Sequence, residues 1–376
     1  MTDELRYRIG LAGPSRVGKS SLVVSLLRDS REQLGGLPLQ LTAADLATER
    51  RVAKTTTELD NSLLRGEFNS DALAGNVEAF TFQLRLAAKR SSTGVRIELM
   101  DYPGKWFNPR TRPDDSVADW AACKDFIADA SVLLVPVEAI GLMENNNAWQ
   151  RAASKQLLAI EEVEKTAEWW ATARGSYHDE PALLLLCPVK CESYLADNLN
   201  TTDRATELHD AVRAMYAGVV KTVRANAPHA EIAYCAVDTI GCVNLVRAEW
   251  TEVGGQPHIS AKYRIIGPGK SMSYKGIDDL LTLLLRHLVD AQHRALEIIA
   301  NQRERAANDA KSLAIRNEGL IGNFLLSISG RRRKRVYRSG VQREEADRTH
   351  QQVDELNQVI KELAERPLST KRVNTW

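Results

Sequence analysis

Gly13-Pro14-Ser15-Arg16-Val17-Gly18-Lys19-Ser20 follows a short apolar stretch, Tyr7-Arg8-Ile9-Gly10-Leu11-Ala12. It precedes a segment, Lys19–Arg28, in which Leu22, Val23, Leu26 and Leu27 fall on one side at helical spacing. The octapeptide fits G-x-x-x-x-G-K-[ST] and lies between strand and helix, the context its mechanism requires. Its glycines let backbone N–H groups face an anion, and the helix N-terminus adds positive potential. There Lys19 reaches the β and γ phosphates of a nucleotide and the Ser20 hydroxyl ligates Mg²⁺. The pattern nominates Gly13, Ser15, Arg16, Val17, Gly18, Lys19, Ser20 and Ser21 as nucleotide-binding residues.

A second string closes a later alternation. Phe80-Thr81-Phe82-Gln83-Leu84-Arg85-Leu86 and Val95-Arg96-Ile97-Glu98-Leu99-Met100 alternate apolar with polar residues, and Ser91-Ser92-Thr93-Gly94 supplies a turn between them. This hairpin runs into Asp101-Tyr102-Pro103-Gly104. An Asp at the C-terminal edge of a strand beside a phosphate loop holds Mg²⁺ directly or through water, and a Gly three residues on can turn its N–H to the γ-phosphate. Lys19, Asp101 and Gly104 are the expected catalytic set, with Ser20 and Asp101 as the metal pair.

Three further strands, Ser131–Val137, Ala182–Cys187 and Ile232–Val237, are apolar without alternation, as in strands covered on both faces. Helices are expected over Ser116–Ala128, Ala148–Thr172 and Arg204–Ala225, whereas 38–75 reads as loop with one helix over Ala43–Asp60. The alternation predicts an α/β fold: a doubly wound, mostly parallel sheet with one antiparallel strand. Val243–Tyr274, with Gly254-Gly255 inside it, reads as an insertion or hairpin, and Gly276 opens a leucine-rich helix.

The chain has 376 residues, 44% apolar and 26% charged, enough for a sizeable core and incompatible with whole-chain disorder. With 50 Lys+Arg against 49 Asp+Glu the net charge is +1, which provides no global field for nucleic acid. The five cysteines (Cys123, Cys187, Cys191, Cys235 and Cys242) have neither disulfide-framework nor zinc spacing, so buried free thiols are expected. The polar Met1-Thr2-Asp3-Glu4 start and the absence of a long apolar run predict a soluble, cytoplasmic protein. Trp149, Trp169 and Trp170 read as core or helix-interface residues, and His178 and His258 as loop residues.

The phosphate loop followed by a hairpin and D-x-x-G resembles a P-loop GTPase of the translation-factor (TRAFAC) type. More closely, Met100-Asp101-Tyr102-Pro103-Gly104-Lys105-Trp106-Phe107 resembles the "DYPGEW" signature of the YcjX-like P-loop NTPases, bacterial proteins with a GTPase-type core and a helical C-terminal region. The resemblance implies GTP/GDP and Mg²⁺ as ligands. It implies a base-reading [NT]-K-x-D motif, matched here by Val189-Lys190-Cys191-Glu192, where Val and Glu replace the usual residues. A second base loop is implied near Ala236-Val237-Asp238, so Lys190, Glu192 and Asp238 join the candidate site. Thr55-Thr56-Thr57 is the nearest candidate for a switch threonine, and a helix face explains it equally well. Lys105 follows Gly104 where many GTPases carry a water-positioning Gln or His, so hydrolysis is expected to be slow. Arg16 can stabilise charge in cis, contact a partner, or be solvated.

Residues 1–290 are expected to form the nucleotide domain, with an insertion at about 243–275, and 291–376 a helical, partly coiled-coil tail. Val353, Leu356, Ile360 and Leu363 make a heptad seam with Ala346, compatible with a helical hairpin on the domain or with a dimer. The apolar patch 319–328 runs into the basic loop 331–338. It reads as a structural or protein-contact element or self-association site, or as a peripheral contact with an anionic membrane, with nucleic acid disfavoured. The expected function is a slow GTP-hydrolysing switch. The alternatives are an ATPase, or a nucleotide-regulated scaffold with little turnover that works through its tail.

Overall fold

Apolar side chains in 132–138, 183–189 and 231–235 make strands that must be covered on both faces, and helices from the intervening segments supply the cover. The structure is a computed structural model that describes residues 5–33, 39–64, 67–69, 78–88, 94–178, 180–241, 243–266, 274–310 and 357–376.

In chain order the elements are β1 (Leu5–Leu11), α1 (Lys19–Gln33), β2 (Leu39–Ala43), α2 (Leu46–Leu64), β3 (Glu67–Asn69), β4 (Phe80–Ala88), β5 (Gly94–Asp101), α3 (Gly104–Phe107), α4 (Val117–Asp129), β6 (Val132–Glu138), α5 (Ala139–Met143), α6 (Ala148–Leu157), α7 (Ile160–Gly175), β7 (Leu183–Val189), α8 (Ala205–Met215), α9 (Ala217–Asn226), β8 (Glu231–Cys235), β9 (Val243–Val253), β10 (Gln256–Ile265), α10 (Ile277–Ala310) and β11 (Val373–Thr375). Eight strands form one sheet in the order β11-β8-β7-β6-β1-β5-β4-β2, and β3-β10-β9 form a second. The pairs β1–β5, β1–β6, β6–β7 and β7–β8 are parallel. Alternate residues of β6 divide between two cores: Leu133, Val135 and Val137 pack on the side of Trp120 and Trp170, whereas Val132 and Leu134 pack on the side of Leu22 and Leu284.

The α/β sheet and the hairpin at 80–101 follow the sequence reading; the details differ. Two strands, not one, run against the rest: β4 pairs antiparallel with both β2 and β5, and β11 pairs antiparallel with β8. Strands β2 and β3 lie in a stretch read as loop, because five- and three-residue edge strands carry little periodic signal. The helix expected over Ala148–Thr172 is broken at Ala159, which adopts φ 48°, ψ 48° without a glycine or proline to announce it. That over Arg204–Ala225 is broken at Tyr216. Trp170 is buried and donates through Nε1 to Ala130 O at 2.8 Å, but Trp149 and Trp169 are exposed. His258 lies within β10 instead of a loop. Cys123, Cys187, Cys191 and Cys235 are buried free thiols, and Cys242 lies outside the described residues.

The segment 243–265 is a hairpin turned by Gly254 and Gly255, both at positive φ (60° and 72°), the requirement of a two-residue primed turn. Helix α10 runs without interruption through residue 290 to Ala310. The partly coiled-coil tail is not supported: Ala346, Val353 and Leu356 of the seam, with the patch 319–328 and the basic loop 331–338, lie outside the described residues. The seam's other members, Ile360 and Leu363, are buried in the chain's own core with Leu280, Leu284 and Leu288. Among the described residues no helix is long and apolar enough to cross a membrane.

The chain's end is held by one buried cation. The Arg372 guanidinium, 2% exposed, donates to Asp197 through Nε (2.7 Å) and Nη2 (2.6 Å), to both Asp238 oxygens (3.1 Å) and to Ala236 O (3.1 Å). Trp376 N–H adds a bond to Ile232 O at 2.9 Å. Burial works against the charge, but the Asp197 and Asp238 carboxylates outweigh it and raise the guanidinium pKa. Removing one partner of such a pair leaves uncompensated buried charge. Arg372→Met should therefore lower the unfolding free energy by about 3–5 kcal/mol in urea melts; a change within ~0.5 kcal/mol would mean the network contributes nothing net.

Candidate phosphate site

Parallel pairing of β1 with β5 (Leu5↔Val95 through Gly10↔Met100) and with β6 (Leu11↔Leu134) brings the C-terminal ends of these strands to one edge. That edge is where open α/β sheets bind ligands. The loop from Ala12 to Gly18 leaves β1 there, pinned by Ala12 N–H to Leu134 O at 2.9 Å, and enters α1 at Lys19. Two loop residues need the left-handed region: Gly18 at φ 99°, where glycine is at ease, and Arg16 at φ 64°, where a side chain is strained. At Gly13 a Cβ would press on the buried Val17 side chain at 3.1 Å.

Lys19, 6% exposed, folds over the loop and donates to Gly13 O (2.8 Å) and Pro14 O (2.7 Å), with its ammonium 4.9 Å from the Tyr102 ring centre. Burial lowers its pKa to about 8, against the pull of Asp101. Ser20 Oγ donates to Asp101 Oδ2. Gly104 packs so closely on the Pro14–Ser15 backbone that a Cβ on it would collide. The 13–18 loop, Ser20, Asp101 and Gly104 thus meet at one point. A hydroxyl beside a carboxylate is a hard-oxygen donor set of the kind that Mg²⁺ takes from protein when phosphates and water complete its shell. Among the described residues no group of three or more His, Cys, Asp or Glu is placed to hold a metal ion.

Lys190, at the turn after β7, ties the loop to the next strands. It sits at φ 58° and donates through Nζ to Arg16 O (3.1 Å) and to Glu138 Oε1 (2.6 Å). Glu192, two residues on, starts a single 3-10 turn and is fully buried. Its Oε1 accepts N–H bonds from Thr239 (2.8 Å), Ile240 (2.6 Å) and Gly241 (3.2 Å). Burial, reinforced by nearby Asp238, raises the Glu192 pKa. Asp238 is committed to Arg372 and to Asn198 Nδ2 at 2.7 Å, and burial raises its pKa against the pull of Arg372.

The candidates thus fall into two groups joined through Lys190: the 13–20 segment with Asp101 and Gly104, and the buried Glu192–Asp238 corner. Ser21 is half-buried in the first turn of α1. Thr55, Thr56 and Thr57 lie on α2, where the Thr57 hydroxyl donates to Ala53 O of its own helix at 2.9 Å. Sequence reasoning missed Tyr102, whose Oη accepts the Gly13 N–H at 3.2 Å, and Glu138, His258 and Arg372. Tyr102 stood inside a quoted motif; the other three announce themselves only through contacts distant in sequence. No protein-family model matches the chain, and no curated protein matches it either.

Glu192→Gln would keep an acceptor for the three amides without the buried charge. A carboxyl with a raised pKa in the folded state favours folding while protonated, and that contribution drains away as the pH climbs through the raised value. In urea melts between about pH 5 and pH 9 the parent should lose stability relative to Glu192→Gln, by ~1.4 kcal/mol per unit of displacement. A pH-independent difference would contradict a carboxyl held protonated by burial.

Proposed function

We propose that this chain binds a nucleoside triphosphate with Mg²⁺ at residues 13–20 and hydrolyses its γ-phosphate slowly, GTP being the preferred nucleotide, and so acts as a nucleotide-controlled switch. The observation that carries the reading is the convergence of the Ser20–Asp101 hydrogen bond with Gly104 packed on Pro14–Ser15. Backbone N–H groups of the loop and the start of α1 favour anionic phosphates, and Lys19 exchanges two carbonyl acceptors for phosphate oxygens. Bound Mg²⁺, held by Ser20 and Asp101, would neutralise phosphate charge. Gly104 touches the loop backbone, so a γ-phosphate entering there displaces or re-seats the 101–110 segment, and its loss releases that segment.

Slow turnover follows from what stands after Gly104: Lys105 is exposed and Trp106 is buried among apolar residues, so neither supplies a water-orienting group. The YcjX-like, translation-factor-type kinship rests on residues 13–20 and 100–107. A cytoplasmic setting and a partner or self-association reached through the tail belong to the same proposal. A second reading, a P-loop NTPase that also takes ATP, is favoured by one observation: the Glu192 carboxylate that would read guanine is bonded to the 239–241 amides.

Competition of unlabelled GTP, GDP and ATP against fluorescent GDP with Mg²⁺ separates the two. GTP and GDP should compete at least tenfold better than ATP, a difference of ~1.4 kcal/mol, and parity would transfer the conclusion to the open-specificity NTPase. Lys19→Ala should abolish binding; affinity equal to the parent's would refute the phosphate-loop assignment. Because bound phosphate favours the charged ammonium, nucleotide binding near pH 8 should draw a fraction of a proton onto Lys19. Calorimetry in buffers of differing ionisation enthalpy reads that uptake, and an enthalpy independent of buffer would contradict it.

A further inference from the structure

Four groups that residues 13–20 offer to an anion or its metal ion are engaged by the chain itself. Lys19 donates to the Gly13 and Pro14 carbonyls, and Ser20 Oγ donates to Asp101. The Gly13 N–H donates to Tyr102 Oη at 3.2 Å, and Gly104 lies so close on Ser15 N that a Cβ would collide with it. Three of these four engagements come from one segment, 101–104. A phosphate that uses the same groups has to displace that segment's contacts, so how firmly the segment is seated decides how readily a phosphate enters.

The seat is built around Tyr102. Its ring, 1% exposed, is stacked on Phe107 (centres 6.1 Å apart, planes at 19°) and packs edge-on with Trp120 at 5.2 Å. Phe107 and Trp120 meet edge to face at 6.0 Å, and the Lys19 ammonium stands 4.9 Å from the Tyr102 ring centre. Pro103, at φ −56°, joins Tyr102 to Gly104 with one torsion locked by its ring. Beyond it, Trp106 N–H donates to Pro103 O at 2.9 Å, Thr111 Oγ1 to Lys105 O at 3.0 Å, and Arg112 Nε to Trp106 O at 2.6 Å. Residues 103–112 are thus tied to one another, and lifting Gly104 from Ser15 pulls on Tyr102 across a single stiff residue. The Tyr102–Gly13 bond is the weak link in that chain, because 3.2 Å is the long end of the N–H···O range.

Resting on the phosphate-loop reading above, we infer that Tyr102 is the latch of a strap, residues 101–107, that competes with an incoming nucleoside triphosphate for the loop, so that breaking the Tyr102–Gly13 bond limits nucleotide entry. Entry frees the Gly13 amide and uncovers Ser15, while Lys19 turns from carbonyl to phosphate oxygens. The direction of the effect is fixed by the competition. A contact that merely supports the loop weakens binding when it is removed. A contact made only before binding counts against the bound state, so its removal makes entry faster and binding tighter. Without the tyrosine oxygen, the Gly13 N–H has lost its acceptor until a phosphate supplies one.

Stopped-flow mixing of a fluorescent GTP and Mg²⁺ with the full chain and with Tyr102→Phe reads both rate and affinity. The substitution removes the acceptor oxygen and keeps the ring against Phe107 and Trp120. In the parent the observed rate should level off as nucleotide concentration rises, because release of the strap becomes limiting. Tyr102→Phe should lift that ceiling roughly threefold to tenfold, the worth of one net hydrogen bond, and tighten binding by a similar factor with dissociation unchanged. A Tyr102→Phe ceiling at or below the parent's overturns the inference, as does weaker binding or a parent rate that stays linear in nucleotide concentration. A parent that binds neither GTP, GDP nor ATP refutes instead the phosphate-loop reading on which the latch rests.

Discussion

The parallel pairing of β1 with β5 is the constraint on which the rest depends. Six consecutive register pairs, from Leu5↔Val95 to Gly10↔Met100, fix where each strand ends. Because both strands point the same way, the loop after one and the carboxylate closing the other emerge at the same edge. A slip of one residue would invert the alternation of β5 and turn its buried Val95, Ile97 and Leu99 outward, so the apolar side chains enforce the register. Ser20 reaches Asp101, Gly104 rests on Pro14–Ser15, and Tyr102 lies beneath Gly13 and Lys19 as consequences of that pairing.

Around this edge, segments remote in sequence hold the loops in place by polar contacts made in a dry environment. Lys190 joins Arg16 to Glu138 at the end of β6, Glu192 gathers the amides of 239–241, and Arg372 fastens Asp238 and Asp197 from the chain's end. Each contact is strengthened by burial and each becomes costly if one partner is lost. The final residues thus belong to the α/β layer: β11 extends the sheet next to β8, and Arg372 supports the loop that follows β8.

Much of this was legible in the sequence because it is local. The strand–loop–helix of 7–28 and the hairpin at 80–101 carry their periodicity in their own residues. What was not legible depends on tertiary partners. The break at Ala159 has no Gly or Pro to signal it; β2 becomes a strand because β4 offers an edge; and Asp238, read as a nucleotide contact, is claimed by an arginine 134 positions later. His258 looked like a loop histidine because strand β10 is recognisable only once β9 pairs with it. Glu192 occupies the expected base-reading place in the chain, yet its carboxylate turns to the neighbouring backbone.

Hydrogen–deuterium exchange of the full chain with and without Mg²⁺ and a non-hydrolysable GTP addresses the central claim, that the β1–β5 edge is a triphosphate site. The account predicts slowed exchange of backbone amides in 13–20 and in 101–107, greater with the triphosphate than with GDP. Exchange in both segments that is unchanged at saturating nucleotide would contradict it.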